Sequence, residues 1–96
     1  MRIEISDEAQ QDLIDGAASY DDREPGIGNY FLDSLFSDID SLILYAGIHP
    51  VIHRYHRLLS KRFPFAVFYR VDGLVVRVRA VLDCRRDPAW IRRRLQ

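Results

Sequence analysis

Arginine dominates the chemistry available to this sequence. Thirteen of its fourteen basic residues are arginine, and Lys61 is the exception. Arg62, Arg70, Arg77, Arg79, Arg85 and Arg86 lie in the second half, interleaved with Phe68 and Trp90. A guanidinium is a planar fork of five donors that also stacks on aromatic rings, so this set suits carboxylate, phosphate and nucleobase contacts. It is poorly suited to general-base work, because arginine stays protonated. His49, His53 and His56 are candidates for proton transfer or metal binding. In an extended strand, positions 53 and 56 point to opposite faces, so these two are expected as separate surface residues. Cys84 has Arg85 and Arg86 beside it, which would favour a thiolate, but no evident partner. As the one cysteine, it excludes an internal disulfide and a multi-cysteine zinc site. No glycine-rich phosphate loop is present, and no metal or cofactor is expected.

Charge is strongly divided along the chain. Residues 1–48 hold eleven acids and two bases, a net of −9, whereas residues 49–96 hold three acids and twelve bases, a net of +9. The formal total of zero conceals this polarity. Two explanations stand: a basic surface for an anionic partner, or a fold in which the halves neutralise each other. The 96 residues, 48% apolar and 29% charged, are expected to form a single domain over 1–96. No apolar run approaches a membrane span. Met1 to Ile5 lacks the apolar stretch of a signal peptide, so a cytoplasmic protein is expected.

The elements that must position the arginines can be read in order. Arg2 to Ile5 alternates polar and apolar and predicts a short strand. Ser6 is a good N-cap, followed by Asp7 and Glu8, and Ala9, Leu13, Ala17 and Tyr20 recur at helical spacing. Pro25, Gly26 and Gly28 end this helix and begin another. In the second, Ile27, Phe31, Leu35, Ile39, Leu42 and Ala46 form an apolar stripe, with Asp33, Asp38 and Asp40 expected on the other side. Gly47 suits the C′ position, and Pro50 prevents continuation. Together they predict a helical hairpin. Strands are expected over 53–59, 63–71 and 74–82. Asp72-Gly73 predicts a two-residue type I′ turn that pairs Val71 with Leu74, Tyr69 with Val76, Val67 with Val78 and Phe65 with Ala80. That face should cover the helices, leaving Arg70, Phe68, Arg77 and Arg79 on the other. Asp87-Pro88 should cap a short C-terminal helix. The expected fold is α+β: an N-terminal strand, a helical hairpin packed on a small antiparallel sheet, and a short C-terminal helix, in the order β-α-α-β-β-β-α.

Two segments carry a family resemblance. Arg62-Phe63-Pro64-Phe65-Ala66-Val67-Phe68-Tyr69-Arg70-Val71 resembles the central strand of ParE-like toxins in the RelE/ParE superfamily, and Ala80-Val81-Leu82-Asp83-Cys84-Arg85-Arg86-Asp87-Pro88 resembles the segment after the hairpin. Element order and length agree over nearly the whole chain. The resemblance implies the toxin of a type II toxin–antitoxin system, with a role such as plasmid stabilization, in a heteromeric complex with a cognate antitoxin. ParE-like members are associated with poisoning DNA gyrase, and RelE-like members with cutting mRNA on the ribosome.

For the nuclease branch, Arg85 or Arg86 would match a terminal catalytic arginine. Ala66, however, stands where another arginine is expected, and Trp90, which transfers no proton, where a tyrosine often lies. Binding needs no catalytic residue. For a gyrase inhibitor, Arg62, Phe68, Arg70, Arg77, Arg79, Arg85, Arg86 and Trp90 are the candidate contacts to target or antitoxin, with Phe68 opposite Arg77 for a cation–π contact. A C-terminal helix folded over this face is the structural alternative. A degenerate member that only binds an antitoxin is the third reading.

Overall fold

The computed structural model describes residues 1–96. Strand β1 (Arg2–Ile5) leads into helices α1 (Asp7–Arg23), α2 (Ile27–Asp40) and the single turn α3 (Leu42–Tyr45). Strands β2 (Val51–Ile52), β3 (Tyr55–Leu59), β4 (Phe65–Asp72) and β5 (Val75–Asp83) follow, and α4 (Pro88–Arg94) closes the order. The α+β architecture is the expected one. The sheet is mixed rather than wholly antiparallel, with order β1-β5-β4-β3-β2 and β1 parallel to β5. No helix is long and apolar enough to cross a membrane.

Local capping explains the helical hairpin. Ser6 Oγ accepts from the Ala9 amide at 3.0 Å and donates to the Arg79 carbonyl at 3.0 Å, so one side chain starts α1 and ties it to β5. At the hairpin link, Asp21 Oδ1 accepts from the amides of Gly26 at 3.1 Å and Gly28 at 2.7 Å. It does the capping that Gly26, in the left-handed region, has no side chain to do. The apolar stripe buries Phe31, Leu35, Ile39 and Leu42 against Val67, Tyr69, Val76, Val78 and Val81 of the sheet. Each fully buried side chain of this size contributes about 1.5–3 kcal/mol. The helix breaks at Ser41 instead of running to Ala46, and Ser41 Oγ donates to the Asp38 carbonyl at 2.6 Å. Asp38 is not on the solvent side as expected: it is buried, and its Oδ2 has no hydrogen-bond partner.

Gly28 lies inside α2 and marks where the helices touch. A Cβ there would sit 2.6 Å from the Ala17 carbonyl oxygen, a backbone atom with no freedom to yield. Gly28→Ala is therefore expected to destabilise the fold by about 1–3 kcal/mol, despite alanine's better helix propensity. Thermal unfolding followed by circular dichroism measures it, and an unchanged midpoint would refute this packing.

The β4–β5 register differs from the expected one. Asp72 pairs with Val75, leaving Gly73 and Leu74 as the turn, and Tyr69 pairs with Val78. Gly73 has φ 60 and Leu74 no positive φ, the type II′ pattern with glycine first. A shift of two residues preserves the faces, but a bulge between Phe68 and Tyr69 then exchanges them. Ala80, expected toward the helices, lies on the other face, and Val81 takes its place in the core. Val71 and Leu74, also expected over the helices, are exposed.

Candidate functional site

The second sheet face is not open. Trp90, Ile91 and Leu95 pack on Tyr55, Ala66, Phe68, Ala80 and Leu82, so α4 covers its centre. Local chemistry builds this helix: Asp87 accepts from the Ala89 amide at 2.9 Å, Pro88 occupies the first turn, and arginines fill the last. Asp12 of α1 anchors it, with Oδ2 accepting from Arg94 at 2.8 Å and from the Val81 amide at 3.1 Å. Phe68 is consequently 3% exposed, and its expected contact with Arg77 is not made.

Ion pairing sorts the arginines into two classes. Arg2 and Arg77 engage Glu4, and Arg77 also reaches Asp72 at 3.1 Å. Arg79 pairs with Glu8, Arg85 with Asp83 and Arg94 with Asp12. These joins neutralise part of the divided charge within the fold. Arg85 grips Asp83 through two nitrogens, at 3.0 and 2.7 Å, which holds the Asp83 carboxyl below the usual carboxylate range. Arg2, through its hydrogen bond, does the same to Glu4, with Arg77 adding to it.

Arg23, Arg54, Arg57, Arg62, Arg70, Arg86, Arg92 and Arg93 have no carboxylate within 4.0 Å. Arg62 is held elsewhere, donating to the Tyr30 hydroxyl at 2.8 Å. Five of the eight, Arg54, Arg57, Arg70, Arg86 and Arg92, flank two adjoining grooves that share His53. One groove, about 600 Å³, lies between Arg54, Arg70 and Arg92. The other, about 210 Å³, lies between Arg57, Cys84 and Arg86. Arg86 stacks on Trp90 at 3.8 Å and Arg70 on Tyr55 at 4.2 Å, so both guanidinium planes are fixed. Of the residues expected as one surface, Arg70, Arg86, Phe68 and Trp90 thus gather around α4. Arg77, Arg79 and Arg85 are tied to acids, and Arg62 sits by α2. Arg54, Arg57 and Arg92 are the additions. For Arg54 and Arg57 the signal was the absence of acids in residues 49–71, which no single motif displays, and Arg92 carried no such signal.

Two of the histidines converge, though not by strand geometry, while His53 stays apart from His56 as expected. His53 and Arg54 form the β2–β3 turn, whereas His49 and His56 meet at Tyr69. The buried Tyr69 hydroxyl accepts from the Gly47 amide at 2.9 Å and hydrogen-bonds His49 Nδ1. His56 stacks on the Tyr69 ring at 5.0 Å and donates from Nδ1 to the His49 carbonyl at 2.7 Å. Burial, with a smaller effect of His56, pushes the His49 pKa down, and burial pushes the Tyr69 phenol up. The folded state thus resists protonating His49 while the unfolded chain does not. Stability should be full above about pH 6.5 and fall as pH drops below it. His49→Gln, which keeps an acceptor for Tyr69 but does not titrate there, should flatten the loss between about pH 7 and pH 5.5 in thermal unfolding. An equal loss in both proteins would remove His49 as its source.

Catalytic equipment is sparse in the grooves. Burial pushes the Cys84 thiol up, outweighing the opposing charge of Arg57. No three His, Cys, Asp or Glu side chains gather as a metal set. The geometry offers guanidinium forks on aromatic supports, an arrangement whose chemistry suits anions.

No protein-family model matches the sequence, and no curated protein matches it. Among solved structures it is similar to a chain described as "Chromosomal ParDE TA system from P. aeruginosa". The TM-score is 0.77 at 19% identity, covering 84% of this chain and 92% of that one. At this identity the likeness establishes a shared fold.

Proposed function

We propose that this chain is the toxin of a type II toxin–antitoxin system, acting on DNA gyrase by binding and neutralised by a cognate antitoxin. The observation that carries the reading is the fold likeness to the chain from a ParDE system over 84% of this sequence. Two further features support it. The unneutralised arginines around α4 offer binding without a general base. At the far end of the helical hairpin, Ile43, Leu44, Tyr45, Ile48 and Val51 are all exposed, an apolar run that a protein partner would cover. The reading places the protein in the cytoplasm, in a heteromeric complex.

Inducing the chain alone in a bacterial host and pulse-labelling DNA and protein synthesis tests it. DNA synthesis is expected to fail first, and purified protein is expected to inhibit gyrase supercoiling. Protein synthesis failing first, with cut transcripts, would replace this reading by ribosome-dependent mRNA cleavage, with Arg85 and Arg86 as the catalytic candidates. No growth defect would leave a member that only binds an antitoxin. A cognate antitoxin is expected to raise the unfolding midpoint through linkage, and no shift well above the dissociation constant would exclude that pairing.

A further inference from the structure

We propose that the groove between the β2–β3 turn and the end of α4 is a phosphate-binding site, in which Arg54, Arg70 and Arg92 hold the oxyanion. The groove is large enough, about 600 Å³, and no Asp or Glu lines it. Five other arginines of this chain have found carboxylates; these three are among the eight without one, and they line a single groove. Three like charges around one cleft repel each other unless an anion lies between them.

The groove is also built rather than incidental. Arg70 Nε donates to the Arg54 carbonyl at 3.2 Å while its guanidinium lies 4.2 Å from the Tyr55 ring centre. Those two contacts fix the plane and leave its terminal nitrogens for a ligand. The Arg54 carbonyl is presented by a turn with unusual residues. His53 has φ 52 and Arg54 φ 72, both in the left-handed region, where a two-residue hairpin prefers asparagine and glycine. Side chains there carry strain that glycine would not, and such strain accumulates where a residue's side chain is needed. Here the turn brings Arg54 beside Arg70.

The charge favours phosphate over a carboxylate. Three guanidinium groups exceed what one negative charge and two oxygens can engage, whereas a phosphate monoester carries close to two charges and three acceptor oxygens. The phosphate can be free, on a nucleotide, or part of a nucleic-acid backbone. The inference does not depend on gyrase being the target.

The test is a titration of isotope-labelled protein with inorganic phosphate and, separately, with a short single-stranded oligonucleotide, at matched ionic strength. Resonances of residues 53–55, Arg70 and 92–96 are expected to move. Arg70→Ala and Arg92→Ala should each weaken binding by about tenfold or more, while Arg93→Ala, outside the groove, should leave it unchanged. Arg54→Gly discriminates further: it should weaken binding without lowering the unfolding midpoint, since glycine suits the turn. Saturation by phosphate alone assigns a small phosphate ligand. Tighter binding of the oligonucleotide that falls steeply with salt assigns a backbone. No movement of these resonances with either ligand, or equal binding in folded Arg70→Ala and Arg92→Ala, would overturn the proposal. Wild-type affinity in Arg54→Gly would remove Arg54 from it.

Discussion

Asp12→Ala is expected to cost about 3–5 kcal/mol and to lower the unfolding midpoint by more than about 10 °C. The carboxylate is only 11% exposed and Arg94 27% exposed, so water compensates poorly for the lost pair. One oxygen also serves the Val81 amide, on a stretch of β5 beyond the end of β1, whose pairing stops at Val78. Removal therefore orphans a guanidinium and a backbone amide together. Asp12→Asn keeps an acceptor for the amide but not the charge, and should fall between wild type and alanine. Trp90, the only tryptophan, reports the docking of α4. Its emission should shift to the red in Asp12→Ala at denaturant concentrations where the far-ultraviolet signal is still native. Coincident transitions at the wild-type midpoint would show that Asp12 is no anchor. Because α4 shields Phe68 and Leu82 and carries Arg92, this substitution should also loosen the arginine grooves.

A comparable loss is expected for Phe31→Ala, about 3–5 kcal/mol. The Phe31 ring is fully buried and meets Tyr20, Phe63 and Phe65 with centroids at 5.4, 5.1 and 4.9 Å. Three aromatic neighbours held by different elements cannot all collapse into the space it leaves. Gly16 provides a sharper check. A Cβ at Gly16 would lie 2.6 Å from the tip of that ring, so Gly16→Ala should destabilise wild type by about 1–3 kcal/mol. In Phe31→Ala the clash is absent, and the same substitution should stabilise by up to about 1 kcal/mol, the gain in helix propensity. A change of sign in urea denaturation is the expected result. Additive effects would refute the contact.

What could be read from the sequence was set by neighbours along the chain. Ser6 caps α1, Asp87 and Pro88 begin α4, and Gly47 has φ 94 just past α3, each a local requirement met by a local residue. The buried stripe through Phe31, Leu35 and Ile39 follows from periodicity. What could not be read depended on distant parts. Asp72-Gly73 and Gly73-Leu74 are both plausible turns, and the choice between them belongs to the paired strands. The bulge at Phe68 and Tyr69 leaves no compositional mark, yet it decides which of Ala80 and Val81 faces the helices. Arg77 and Arg79 looked as available as Arg70. Glu4 and Glu8, more than seventy positions away, are what distinguish them. His49 and His56 are brought together by the Tyr69 hydroxyl and ring, which no spacing rule encodes.

The parallel seam between β1 and β5 has a consequence for synthesis. Residues 2–5 are made first, but the strand they pair with spans 75–78. Until those residues leave the ribosome, β1 has no partner, α1 lacks its ties to Arg79 and Val81, and the apolar stripe of the hairpin has only part of its sheet to lie on. The emerging chain is a strongly acidic segment awaiting a basic one, and opposite charge draws the late half onto the early half. The arginine grooves, assembled from the β2–β3 turn, β3, β4 and α4, can exist only after that, so an incomplete chain cannot present them.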